Sequence, residues 1–180
     1  VEPSDSIGAA EVTQNRLYSE AVEKYGSAFE RLVRAYEADP EKRRDLLQEI
    51  HFQLWRSFQR FDARCSLRTW VYRVAHNVAA SHVIRERRTF SNLVSLEQLE
   101  QLPDNSRFTP DDRMNLERLS ILIQKLKPLD RQVIVCCLED MDAAAIGEIT
   151  GLSPANVAMR VHRIKNILTR WFHEGDDHGK

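Results

Sequence analysis

The chain has 180 residues, with 26 Lys+Arg against 27 Asp+Glu and a formal net charge of -1 at pH 7. A hydrophobic fraction of 42% beside 29% charged residues fits one ordinary globular domain or two small ones, not a disordered chain. The balanced charge gives no overall attraction for anions. No run approaches the roughly 18 apolar residues of a membrane span, and the opening VEPSDSIGAAEVTQ is acidic and polar, unlike a signal peptide. A cytoplasmic protein with reduced thiols is expected. Cys65, Cys136 and Cys137 have no metal-ligand spacing, adjacent cysteines rarely pair, and the two in VIVCCL read as core. The six His and the carboxylates form no metal or acid/base constellation, and no Gly-rich phosphate loop is present. Enzyme activity, a metal and a cofactor are therefore not expected.

Apolar residues recur at three- and four-residue spacing almost throughout, which predicts an all-α fold. Residues 1–17 read as a flexible extension and 18–90 as a first helical domain, punctuated by Asp39-Pro40 and by FDARCS around Asp62. Within it, DLLQEIHFQLWRSF places Leu46, Ile50, Leu54 and Phe58 on a core stripe, with Leu47 and Trp55 beside them. Asp45, Gln48, Glu49 and Gln53 fall on another face, which suits either solvent or a docked partner. Residues 68–88, RTWVYRVAHNVAASHVIRERR, are basic and aromatic with Glu86 as the single acid. On a helix, Trp70, Arg73 and Asn77 share a face, with Tyr72 and His76 on its flank, opposite a stripe of Leu67, Val71, Val74 and Val78. Trp70 suits the core and a base-stacking platform equally.

Residues 91–113 carry Pro103, Pro110 and five acids and read as an acidic linker. A second helical domain follows over 114–173, and 174–180 is a tail. Arg160, Arg163, Lys165 and Arg170 form a second basic stretch that contains no acid.

The stretch DAAAIGEITGLSPANVAMRVHRIKNILTRWF has the spacing of a helix-turn-helix. Asp142 to Thr150 makes a short helix with Ile146 and Ile149 inward. Gly151 supplies the positive φ that ends it, Ser153 is a good N-cap, and Pro154 is a good first residue for the next helix. Gly147 sits where two tightly joined helices approach closely. In the second helix Val157, Val161, Ile164, Leu168 and Trp171 form one apolar stripe. Its outward residues are Ala155, Asn156, Ala158, Met159, Arg160, His162, Arg163 and Asn166. The N-terminal ones suit base edges in a major groove, and Arg160, Arg163 and Lys165 suit phosphates.

RDLLQEIHFQLWRSFQRFD followed by SLRTWVYRVAHNVA resembles the second conserved region of RNA polymerase sigma factors. IGEITGLSPANVAMRVHRIKNIL resembles their fourth region, and the order and linker resemble the extracytoplasmic-function group of the sigma-70 family. The resemblance implies an alternative sigma factor that binds core RNA polymerase, recognises and melts promoter DNA, and starts transcription. It implies that Asp45, Gln48, Glu49 and Gln53 grip core polymerase. It implies that Arg68, Trp70, Tyr72, Arg73, His76 and Asn77 meet the −10 element. Ser153, Ala155, Asn156, Ala158, Met159, Arg160, His162 and Arg163 would meet the −35 element. The reading leaves room for an anti-sigma factor as a further partner. Two departures stand out: Lys42, Arg43 and Arg44 replace the acids common before DLxQE, and Ala158 and Met159 replace a common Lys and Ser. A stand-alone helix-turn-helix regulator and a sigma-like adaptor are the alternative readings.

Overall fold

A computed structural model describes the backbone of residues 3–87 and 112–176, and the side chains over 11–86 and 116–170. Most of the expected linker, the end of the tail and the side chain of Trp171 lie outside these residues. The fold is all-α, in two domains. The first holds α1 (Pro3–Tyr36), α2 (Pro40–Ser57), a short 3-10 turn (Phe58–Arg60) and α3 (Leu67–Arg87). The second holds α4 (Asp112–Lys125), α5 (Pro128–Leu138), α6 (Ala143–Thr150) and α7 (Pro154–Asp176).

Local chemistry sets these boundaries. Asp39 caps α2, its Oδ1 accepting from the backbone N–H of Glu41 (2.8 Å) and Lys42 (3.3 Å), and Pro40 pre-sets the first helical φ. Ser66 caps α3, its Oγ accepting from Thr69 N–H at 3.0 Å. Between α5 and α6 the chain turns through Asp140 at φ 54. Met141 N–H reaches back to Cys136 O and Asp140 N–H to Cys137 O, both at 3.2 Å, which is the Schellman pattern with an Asp where Gly is usual.

Part of the segment read as an extension is helical. Gln14 is buried, its Nε2 donating to Trp55 O at 2.8 Å, and Asn15 Oδ1 accepts from Trp55 Nε1 at 2.8 Å. The start of α1 is thereby fastened to α2. At the other end, Asp112 and Arg113, read as linker, already belong to α4.

The first domain packs Phe29, Leu32, Leu46, Ile50, Leu54, Phe58 and Val71 into its core. The second buries Ile146, Ile149, Val157, Ile164, Ile167 and Leu168. Burying one such side chain stabilises by about 1.5–3 kcal/mol. The two cores are not separate, because Leu122, Leu126 and Ile134 join the cluster of the first domain while Ala28 and Tyr72 join that of the second.

Arg131 fastens this junction. Its Nη1 donates to Tyr36 O (3.3 Å) at the end of α1, its Nη2 to Leu126 O (3.1 Å) and Gln124 O at the end of α4, and it lies 5.1 Å from the Tyr36 ring centroid. Cationic donors at helix C-termini meet orphan carbonyls and the negative end of the dipole. Gln124 Nε2 adds a bond to Arg34 O at 2.7 Å.

Candidate nucleic-acid and polymerase interfaces

The helix-turn-helix is built as its sequence dictates. Asp142 accepts from Ala145 N–H at 2.7 Å to start α6. Gly151, at φ 76, ends that helix by donating to Gly147 O at 2.8 Å. A Cβ on Gly147 would lie 2.7 Å from Leu152 O, so the close approach read from the sequence is real. Ser153 Oγ accepts from Asn156 N–H at 3.3 Å and starts α7. Val157 and Ile164 lock α7 inward, with Val161 half-buried between them, and Ile167 is a core residue absent from the predicted stripe.

Ser153, Ala155, Asn156, Ala158, Met159 and His162 are all exposed on the opposite side, with Met159 64% accessible. Arg163 is half-exposed beside them and lines a shallow groove with His162, Asn166, Ile167 and Arg170. Arg160 differs. Its Nη1 forms an ion pair with Oδ1 of the buried Asp130 on α5, so it ties the reading helix to its own domain.

On α2, Asp45 and Gln48 are exposed, while Glu49 and Gln53 are half-buried and bonded to each other, Gln53 Nε2 donating to Glu49 Oε1 at 2.8 Å. Phe52, which the sequence reading passed over, stands 53% exposed four residues after Gln48 and seven after Asp45. An apolar residue on a polar face was the available signal. The basic triplet in the first turn of this helix is engaged within the first domain. Lys42 pairs with Glu86 on α3, Arg43 donates to Glu37 O (2.7 Å) and Ala38 O (2.5 Å) at the end of α1, and Arg44 pairs with Glu41 (3.0 Å).

The residues of α3 divide sharply. Asn77 is exposed. Trp70 is half-buried, with Nε1 donating to Ser57 Oγ (2.9 Å) and its ring 5.3 Å from that of Phe61, so it is part of the framework. Tyr72 and His76 are 3% and 0% accessible, because the second domain lies over them. His76 Nδ1 meets Tyr36 Oη at 2.9 Å and its Nε2 meets Cys136 Sγ at 3.2 Å. Burial holds the His76 imidazole down to about 3 and pushes the Cys136 thiol up to about 12. Burial, followed by the Glu139 carboxylate, raises Tyr72.

Glu139 is the centre of this contact. Its Oε1 and Oε2 accept from Arg31 Nε (2.6 Å) and Nη2 (2.7 Å), and Oε2 also accepts from Tyr72 Oη at 3.2 Å. Its backbone oxygen accepts from Arg68. The Arg31 guanidinium holds the carboxyl below the usual range, against the opposing effect of burial. Arg73 Nη2 completes the set with a bond to Glu148 O at 2.9 Å. Arg68, Tyr72, Arg73 and His76, all assigned to DNA from the sequence, are therefore engaged by the second domain in this arrangement.

The sigma-70 region 2 profile matches residues 21–89, and the sigma-70 region 4 profile matches residues 116–168. Together they span more than half of the chain. The chain belongs to the sigma-70 family, in its extracytoplasmic-function group. It is similar to the ECF RNA polymerase sigma factor SigW of Bacillus subtilis, at 23% identity over 156 residues and 81% of each chain. Its fold is similar to that of CnrH in complex with the cytosolic domain of CnrY, with a TM-score of 0.66 and 20% identity over 92% of this chain and 94% of that one. As a sigma factor the chain falls in a regulatory family without catalytic activity. Among the described residues no helix is long and apolar enough to cross a membrane, and no cluster of three metal-ligating side chains occurs.

Proposed function

We propose that this sigma factor binds core RNA polymerase through α2, holds the melted −10 strand on α3 and reads the −35 duplex with the start of α7. The observation that carries the reading is the outward set on α7. Six residues from Ser153 to His162 stand clear of the core on a helix whose angle is fixed by Gly147, Gly151 and the Ser153 cap. A helix N-terminus presented this way suits a major groove. Ala158 and Met159 favour apolar contacts such as thymine methyls over hydrogen-bonded readout.

The polymerase-binding surface comprises Asp45, Gln48 and Phe52, with Glu49 and Gln53 at its edge. On α3, Asn77 is open, and Arg68, Tyr72, Arg73 and His76 become available to DNA once the second domain moves away. The chain works where core polymerase and promoter DNA are, in the cytoplasm. A cytosolic anti-sigma domain is a further partner, supported by the complex in which CnrH was solved.

In vitro transcription with core polymerase over a promoter library tests this reading. Core-dependent transcripts sharing two spaced elements are expected. Tight binding to a palindromic duplex with no core-dependent transcript would instead make the chain a stand-alone regulator.

A further inference from the structure

We infer that the first turns of α1, residues 11–19, are part of the surface that docks core polymerase. They widen the α2 face by a second helix, ahead of the stretch matched by the region 2 profile, which starts at residue 21. The inference rests on the proposed polymerase role of α2.

Side-chain bonds fasten this segment along the outer half of α2. Gln14, 4% accessible, satisfies both ends of its amide there: Nε2 donates to Trp55 O at 2.8 Å, and Oε1 accepts from Gln59 Nε2 at 3.4 Å. Asn15 Oδ1 takes the Trp55 indole N–H at 2.8 Å, and one turn on Tyr18 Oη meets His51 Nδ1 at 3.0 Å. The half-buried Trp55 ring is thereby held between the two helices.

Two stripes meet at that ring. On α2, Asp45, Gln48, Phe52, Trp55 and Gln59 follow at three- and four-residue spacing and share a face. On α1, Val12 lies three residues before Asn15 and Ser19 four after it, on the same face. All of these except Trp55 are exposed. Among the described residues of the first domain, the exposed large apolar side chains are Val12, Phe52 and Ile84. The first two each lie one turn from the Asn15–Trp55 bond. Apolar anchors with polar neighbours are the anatomy of a protein–protein contact. Exposed carboxylates, Glu11 and Asp45, stand at its two ends, which suits a protein better than a phosphate backbone.

Core polymerase is the protein already assigned to the α2 half of this face. The start of α2 adds little to that contact, because Lys42, Arg43 and Arg44 stand where acids are common and turn to groups of their own domain. The added turns of α1 supply contact area at the opposite end of the helix.

Competition between a dye-labelled wild-type chain and full-length variants for core polymerase tests this, with melting temperatures alongside. Val12→Asp and Ser19→Arg alter exposed side chains, so each should stay within about two degrees of the wild-type melting temperature. Each should nevertheless bind core about tenfold more weakly, as Phe52→Ala should. Wild-type affinity in both α1 variants beside a weakened Phe52→Ala overturns the inference and leaves α2 as the docking helix. Wild-type affinity in all three removes the docking role of α2, and the inference with it. Photo-reactive benzoylphenylalanine in place of Val12 reads proximity whatever the variants do to folding. It should crosslink to the polymerase subunit that the same probe captures at position 52. In place of the exposed Glu30, about 27 Å further along α1, it should not. Capture at position 52 with none at position 12 overturns the inference.

Discussion

Replacing His76 with Gln should flatten the acid side of the stability curve. The imidazole is wholly buried between Tyr36 Oη and Cys136 Sγ, and burial lowers it from 6.5 to about 3. Below 6.5 the unfolded chain therefore binds a proton that the native chain refuses. Stability contributed by the neutral ring is present above 6.5 and is lost as pH falls towards 3. Each pH unit in that window corresponds to about 1.4 kcal/mol, so moving from about pH 7 to about pH 5 should remove about 2 kcal/mol through this group. Urea denaturation of wild type and His76→Gln, followed by far-UV circular dichroism at both pH values, gives the comparison. The variant should lose about 2 kcal/mol less than wild type over the interval, whatever its starting stability. An equal loss in the two proteins would refute the argument. His51, also held down by burial, remains in both and cancels in the difference.

Three other substitutions follow from the geometry. Gly147→Ala places a methyl against Leu152 O and should lower stability by about 1–3 kcal/mol, read as a drop in melting temperature, and should weaken duplex binding with it. Asp140→Gly relieves a left-handed residue and should stabilise by about 1 kcal/mol, seen as a higher urea midpoint at unchanged m-value. Phe52→Ala should leave the melting temperature within about a degree of wild type, given its exposure, yet weaken association with core polymerase about tenfold in a pull-down titration.

What the sequence made legible was local. The Gly151 terminator, the Ser153-Pro154 start and the Gly147 contact each depend on neighbours within a few residues, and each is found where it was read. The end of α5 was harder, because an Asp rather than a Gly takes the left-handed position. The α3 helix shows the other limit. A stripe of Leu67, Val71, Val74 and Val78 correctly marks one side, but Leu67, Val74 and Val78 are only partly buried, and Ala75, Ala79, Tyr72 and His76 are more deeply covered. Periodicity assumes one buried face and one wet one, and α3 has neighbours on both. Nothing near positions 72 and 76 announces that Glu139 and Cys136 will meet them across the junction. The basic triplet at 42–44 likewise looked like a patch, but Lys42 pairs with Glu86 on α3 and Arg43 turns back to the carbonyls of Glu37 and Ala38 just after α1.

The Arg131 guanidinium carries a consequence for how the domains can move. Its donors lie in one rigid plane and satisfy carbonyls at the ends of two helices from different domains. Such a fork works as a protractor: it keeps these bonds at one mutual orientation of α1 and α4 and at no neighbouring one. A few degrees of twist would strip bonds from a side chain that is buried at the junction. The domains should therefore separate as a snap between two states, with no continuum of half-turned forms, and a lysine at this position would blunt that snap into a slide.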